Sequence, residues 1–358
     1  MAKVGLVTSA TASPAVGGRA LLSKLHRECL EEILGTDLSV YELGRSATRS
    51  KAAALRGYID GLDPSTVRGF LDWIAREGVS TLFVNGSNLG RLVREVKSRC
   101  PKVELLTFFH NAEAKFFLDS LHEHKSLHAL GVLVANWRAE RWAVRRSDRL
   151  IALSDRDSRM LARLYGRGAT DILPIAMEDQ LEGGPDPDAL VDTEGYALFV
   201  GGAFYANRAG ADWYAREVAP LLPIRTCIVG HGMETMKSSL ERHGNIEVAG
   251  TVERLEPWYR RARIVVAPIF CGSGMKTKVA EALMFGKPIA GTPEAFSGFE
   301  TIAAEAGWIC ETSEAFVAAI RRACEMPIKA LDPRLRSLYQ RDHSREATKR
   351  RLAQILAR

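Results

Sequence analysis

The sequence predicts an α/β protein of two successive units, each a parallel sheet covered by helices on both faces. Three observations predict it. The chain has 358 residues, more than one hydrophobic core usually holds. Short apolar runs alternate with amphipathic stretches over residues 1–177 and again from 196 onward, and strands alternating with helices imply parallel pairing through crossovers. Between the two lies residues 178–195, EDQLEGGPDPDALVDTEG, acidic, rich in Pro and Gly and poor in large apolar side chains, a linker by composition.

In the first unit, strands are expected at 3–9, 38–43, 80–84, 103–109, 149–153 and 171–175. A loop is expected at 10–18 and a helix from there to about 34, then helices at 64–77, 89–99, 135–147 and 154–165, where Ser154 and Asp157 form an S-x-x-D capping box. In the second unit, 196–332, strands are expected at 196–200, 225–229, 246–248, 264–267, 289–290 and 308–310, with helices at 209–219, 233–243, 276–285 and 313–325. The tail from Pro333 reads as one long basic helix that can pack back on the first unit. No short-period repeat is present.

Hydrophobic residues make up 46% and charged residues 26%, ordinary for a globular protein. No apolar run reaches the roughly 20 residues that span a bilayer. Met1–Thr8 reads as a buried strand, not a signal peptide. Six scattered cysteines with no C-x-x-C pair read as reduced thiols, which points to the cytoplasm. Residues 1–177 hold 26 Lys+Arg against 19 Asp+Glu, the remainder 23 against 24. That basic first half fits either an anionic partner, such as the inner face of a membrane, or a plain solvated surface. No nucleic-acid recognition motif accompanies the charge.

Ligands of open parallel sheets bind beyond the carboxyl ends of strands, beside helix N-termini. After the first strand, Ala15-Val16-Gly17-Gly18-Arg19 puts two glycines before a helix, where backbone amides can meet a phosphate; a tight turn is the alternative. The run is not G-x-G-x-x-G and lacks the acidic ribose partner, which argues against a nicotinamide cofactor. His110 ends the apolar run LLTFFHN, followed by Asn111 and Glu113, and either faces a ligand or is a satisfied core histidine. The third segment, VVAPIFCGSGMKTKVAEALMFGKPIAGTPEAFSGF, takes a buried strand through Gly272-Ser273-Gly274 into a helix bearing Lys276, Lys278 and Glu281. Amides and lysines at the helix start suit a diphosphate, and the carboxylate suits a ribose diol. The alternative is an amphipathic helix with an internal Lys278–Glu281 pair.

The second half resembles the family-four retaining glycosyltransferases of the GT-B fold, the glycosyl transferases group 1. The matching stretches are FVGGAFYANRAGADWY, CIVGHG, VAGTVERLEPWYRRARIVVAPI, GSGMKTKVAEALMFGKPIAGT and EAFSGF; the first half follows more loosely through Gly17-Gly18, FFHNAE and RLIALSDRD. The resemblance implies two facing Rossmann-like domains with a cleft between them, the first on the acceptor side and the second binding the donor. It implies a metal-independent, hexosyltransferase-type enzyme with no cofactor, moving a sugar from a UDP- or GDP-linked donor to a hydroxyl of a glycan, lipid-linked or small-molecule acceptor, as in polysaccharide biosynthesis. Glu281 matches the second glutamate of the family's Glu-(seven residues)-Glu motif, implied to hold the ribose; the first falls on Ser273, a departure that puts sugar choice in doubt. Lys276 and Thr277 match positions whose amides meet the diphosphate, and Gly274, Met275 and Lys278 flank them. The family's Arg and Lys after the first strand of this domain fall near Gly202 and Arg208, so the Arg is missing. Gly17 and Gly18 match the phosphate-facing loop of the first domain, Val252 a base contact, and His110 a histidine touching the donor sugar. His110, Lys276 and Glu281 are the implied catalytic set. The same resemblance admits a nucleotide-sugar 2-epimerase, and Ser273 admits an inactive binding or assembly subunit.

Two other signals stand apart. His124 and His128 of HEHKSLH would share a helix face, as zinc ligands do, but no Cys lies nearby in the sequence. NWRAERWAVRRSDR sets Arg138, Arg141 and Arg145 on one face near Trp137 and Trp142, either a membrane or acceptor surface or a charged helix with buried Trp.

Overall fold

The computed structural model describes residues 3–9, 18–44, 50–124, 126–181 and 195–358; Gly17 and most of the acidic linker lie outside them, as do the side chains of His122 and His124. The chain divides into two compact units, Met1–Ile175 with Thr348–Arg358, and Ala176–Ala347.

The first unit runs β1 (Lys3–Ser9), α1 (Gly18–Leu34), β2 (Leu38–Leu43), α2 (Lys51–Leu55), α3 (Pro64–Glu77), β3 (Val79–Asn85), α4 (Gly90–Arg99), β4 (Glu104–Phe109), α5 (Glu113–His124), α6 (Leu127–Arg146), β5 (Arg149–Ala152), α7 (Asp155–Tyr165) and β6 (Asp171–Ile172). Its sheet has the order β2-β1-β3-β4-β5-β6, with every pair parallel. The second unit runs β7 (Tyr196–Val200), α8 (Tyr205–Glu217), β8 (Thr226–Val229), α9 (Lys237–Leu240), β9 (Ile246–Gly250), α10 (Glu256–Arg261), β10 (Ala262–Ala267), α11 (Thr277–Met284), β11 (Ile289–Gly291), α12 (Ala303–Ala306), β12 (Gly307–Ile309), α13 (Ser313–Glu325) and α14 (Pro333–Asp342), and α15 (Arg345–Leu356) closes the chain. Its sheet, β12-β11-β10-β7-β8-β9, is also parallel throughout.

The apolar strands follow from this topology. Helices on both faces cover the central strands of a sheet, so β7 (YALFV) is buried at every position. Phe199, Ile264 and Val266 pack with Tyr214 of α8 and Phe316 and Ile320 of α13. In the first unit Val7, Leu82, Val84 and Leu105 meet Phe70, Ile74 and Val93. Several helix starts carry caps that satisfy their first amides. Asp63 accepts from Thr66 N at 2.7 Å, with Pro64 in the first turn of α3, and Ser154 accepts from Asp157 N at 3.2 Å, the capping box read from the sequence.

Helices α2 and α5 were not expected from the sequence, and other elements differ in extent. The stretch 233–243 is not one helix but two 3-10 turns flanking the four-residue α9. Ser239 Oγ turns back onto Met236 O at 2.8 Å, a bond that competes with a regular helix. Helix α6 starts at Leu127 instead of 135, because Ser126 caps it by accepting from Ala129 N. The tail is two helices, not one. Met177 N donates to His343 O, and Ser344 Oγ accepts from Ala347 N at 3.2 Å to start α15. The chain passes there from the second unit to the first, where Lys349 pairs with Glu32 and Arg149 donates to Ile355 O.

Candidate active site

In the second unit the strand order reverses between β10 and β7, and the carboxyl ends at such a reversal form a binding crevice. Two loops meet there. One follows β7 through Gly201 and Gly202 into α8, and the other follows β10 through Gly272, Ser273 and Gly274 into α11. Gly272 (φ +130°) and Gly274 (φ +64°) hold backbone angles that suit glycine, so the turn is specified by sequence. Gly210 of α8 is required for a different reason, since a Cβ there would lie 2.0 Å from Pro268 O.

Lys276 precedes α11 and gives it no side-chain cap, leaving the helix start to face the loop. Its Nζ donates to Gly274 O at 2.8 Å and to Glu294 Oε1 at 3.0 Å, which folds the cation over the glycine turn. Thr277 opens the helix beside it, half-buried, as Ser273 is; Met275 is buried. Lys278 lies inside. It is 6% exposed, donates to Asn207 Oδ1 at 2.8 Å and sits 4.7 Å from the Phe199 ring centroid. It thus ties α11 to α8. Glu281, one turn on, accepts from Tyr259 Oη at 2.9 Å, in place of the ion pair with Lys278 that the spacing suggests. Burial raises its carboxyl, partly offset by Tyr259 and Lys278. Arg208 is exposed on the first turn of α8, and Val252 is half-buried just after β9.

Burial lowers Lys278 to about 7, with Glu281 opposing, and lowers Lys287 to about 7, with Arg260 adding to it. Both folded values lie below the unfolded value, so the unfolded chain binds more protons between them and stability rises with pH. The melting temperature of the second unit is expected to rise from pH 7 to pH 8.5. In Lys278→Met the rise should be about half as steep, and a flat wild-type profile over this range would contradict the assignment.

In the first unit the order reverses between β1 and β3. Gly18 opens α1 there. Arg19 donates to Asn88 Oδ1 at 2.7 Å and to Glu113 Oε1 at 3.3 Å, and Asn88 donates to Asp60. His110, 8% exposed, follows β4 with Nε2 at 3.4 Å from Ser23 Oγ, while Nδ1 has no hydrogen bond. Burial, then Arg19 and His26, hold its pKa well below the usual value, so the ring is neutral and carries a single N–H. Glu113 is raised to about 7, mainly by burial and against the pull of Arg19. Behind it Glu140, with no exposed surface, accepts from the amides of Glu113 and Ala114 and from Tyr165 Oη and Ser87 Oγ.

The structure therefore brings Gly202, Ser273, Gly274, Lys276, Thr277 and Glu281 to strand ends of the second unit, and Gly18 and His110 to those of the first. The sequence reading missed Asn207, Tyr259, Glu294, Asn88, Asp60 and Glu140. Asn207 and Tyr259 lie inside stretches quoted for the resemblance, but nothing local marks a polar residue as the partner of another more than 20 positions away. The basic and aromatic run of α6 resolves into stacking, with Arg94 and Arg138 each 4.9 Å from the Trp142 ring centroid. His128 is exposed. Among the described residues no three His, Cys, Asp or Glu are grouped to hold a metal ion, and no helix is long and apolar enough to cross a membrane.

Residues 194–326 match the family described as Glycosyl transferases group 1. No curated protein matches the chain in sequence. Among solved structures, sucrose-phosphate synthase from Thermosynechococcus elongatus is 16% identical with a TM-score of 0.75, over 100% of this chain and 98% of that one. HepE of Anabaena in complex with UDP-glucose is 12% identical with a TM-score of 0.64, over 99% of each chain. A UDP-forming α,α-trehalose-phosphate synthase from Burkholderia xenovorans is 13% identical with a TM-score of 0.59, over 100% and 98%. The two parallel α/β units are those of the GT-B fold.

Proposed function

We propose, from the match of residues 194–326 to glycosyl transferases group 1, that the protein is a retaining glycosyltransferase that moves a sugar from a nucleoside-diphosphate sugar to an acceptor hydroxyl. One observation carries the reading: at the strand reversal of the second unit, an uncapped helix start and Lys276 stand one turn from Glu281. The helix start and the cation meet the diphosphate, and Glu281 takes the ribose hydroxyls. The structures of HepE of like fold hold UDP and UDP-glucose, which supports a uridine donor.

As the glycosidic bond breaks, negative charge grows on the leaving diphosphate. Helix-start amides and Lys276, already oriented, stabilise that charge without a metal. Lys278 serves differently, holding Asn207 and hence the β7 loop in place. Neutral His110 can offer its N–H to a sugar hydroxyl. The acceptor lies with the first unit, and the reading places the reaction in the cytoplasm, in glycan, glycolipid or glycoside synthesis.

The test is a thermal-shift panel of UDP, GDP, ADP and TDP with EDTA present. A ligand that binds only the folded state stabilises it by about 2.7 kcal/mol at 100 times its Kd. UDP is expected to give the largest shift. No shift with any of the four would refute the donor site and favour an inactive assembly subunit. Turnover of a bound nucleotide sugar to an isomer, with no acceptor present, would replace transfer by epimerisation.

A further inference from the structure

The first unit contains a cavity of about 760 Å³ that no part of the donor site uses, within the ~300–1,000 Å³ usual for small-molecule pockets. Its walls come from three helices, with Ala54 and Leu55 of α2, Phe117 of α5, and Leu127, Val132 and Ala135 of α6. Its floor is Arg19, Asp60 and Glu113, at the carboxyl-end side of the sheet where α1 and α5 begin. The floor's donors are engaged, Arg19 with Asn88 and Glu113, and Asn88 with Asp60. Its two carboxylates retain acceptor capacity, since each oxygen can take more than one hydrogen bond. The formal charges of the lining balance, Arg19 and Lys51 against Asp60 and Glu113, which gives an anionic ligand no net attraction; Lys51, Asp60 and His128 are exposed. The floor thus accepts hydrogen bonds and the walls are apolar, Leu55 and Leu127 among them being exposed.

We infer that this cavity binds the acceptor, and that the acceptor is a neutral alcohol with an apolar body, its hydroxyl on the Arg19–Asp60–Glu113 floor. The assignment as acceptor rests on the glycosyltransferase reading; the ligand chemistry does not. A sugar acceptor would find few polar partners along the Leu55, Phe117 and Val132 walls. A phosphorylated one would find Arg19 already engaged by Glu113 and Asn88.

Gly131 provides a clean test. It lies in α6, lines the cavity, and a Cβ there has nothing within 4 Å. Replacement removes a poor helix former, so folding is not at risk. Binding is measured without any donor, by the fluorescence of 2-naphthol in solution and by sedimentation with phosphatidylcholine vesicles carrying farnesol, with methyl α-glucoside as the polar probe. Saturable binding of 2-naphthol or farnesol is expected, at least 10-fold weaker in Gly131→Phe and unchanged in Gly131→Ala, with the melting temperature and UDP shift of both variants as in wild type. The probe that binds distinguishes a soluble alcohol from a lipid one. Equal binding by Gly131→Phe, or binding of the glucoside alone, would overturn the inference. Gly131-sensitive binding in a protein that ignores every nucleotide would keep the cavity's ligand class and remove the transferase reading instead.

Discussion

Glu281→Ala is expected to weaken UDP binding on the order of 100-fold, since hydrogen bonds to a charged group contribute roughly 1.5–3 kcal/mol each and a ribose diol makes two. Under the proposed function the carboxylate is already oriented. Tyr259 fixes one oxygen at 2.9 Å, and Tyr259 is itself fixed by stacking on Phe285 with centroids 4.4 Å apart. Glu281→Gln keeps the shape and an acceptor but loses the charge, so an intermediate loss of about 10-fold is expected. Tyr259→Phe leaves the carboxylate in place and should cost only a few-fold. Isothermal titration with UDP measures all three, and the melting temperature of each ligand-free variant separates lost binding from lost fold. Wild-type affinity in Glu281→Ala would remove it from the donor site. Affinity should also fall as pH drops toward the raised pKa of Glu281, because the protonated acid accepts fewer hydrogen bonds. Loss of that pH dependence in Glu281→Gln would tie it to this residue.

Much of the fold was legible because a doubly covered parallel sheet writes itself as apolar runs. The run YALFV is a strand by its side chains alone, and the Ser154–Asp157 cap marks a helix start without any tertiary information. Local signals failed where a distant contact decides. The break between α14 and α15 depends on Met177 bonding to His343, some 160 residues away. The glycine turn before α11 and the place of Glu281 one turn into that helix were readable because they are local, with positive φ at Gly272 and Gly274. Lys278 was not. A lysine two residues after Lys276 reads as a second surface cation, and only the packing of Phe199 and Asn207 turns it inward as a strut. The polar floor of the first unit was likewise hidden, because Arg19, Asp60, Asn88 and Glu113 come from four separate stretches.

Glu140→Ala should be the most destabilising single change among the residues discussed. Glu140 sits in α6 with no exposed surface, and four donors converge on it: the amides of Glu113 and Ala114 at 2.8 and 3.1 Å, Tyr165 Oη at 2.6 Å and Ser87 Oγ at 3.3 Å. It therefore caps the start of α5 from another helix and ties in α7 through Tyr165. Alanine removes the acceptor and leaves buried donors unmatched, at about 1–3 kcal/mol for each that water cannot reach. A loss of about 3–5 kcal/mol follows, or roughly 10 °C in the melting temperature of a unit this size. Burial raises the carboxyl of Glu140 while its donors favour the ionised form, so Glu140→Gln, which keeps an acceptor oxygen but puts an NH₂ against one donor, should cost less than alanine and more than 1 kcal/mol. Tyr165→Phe removes one donor together with its demand and should be milder than either. Because Glu113 starts α5 on these amides, Glu140→Ala should also loosen the floor of the cavity and weaken 2-naphthol binding while leaving the UDP shift intact. Calorimetry that found less than 1 kcal/mol lost in Glu140→Ala would mean that water reaches these donors, and the network would then be a wet surface and not the support of the floor.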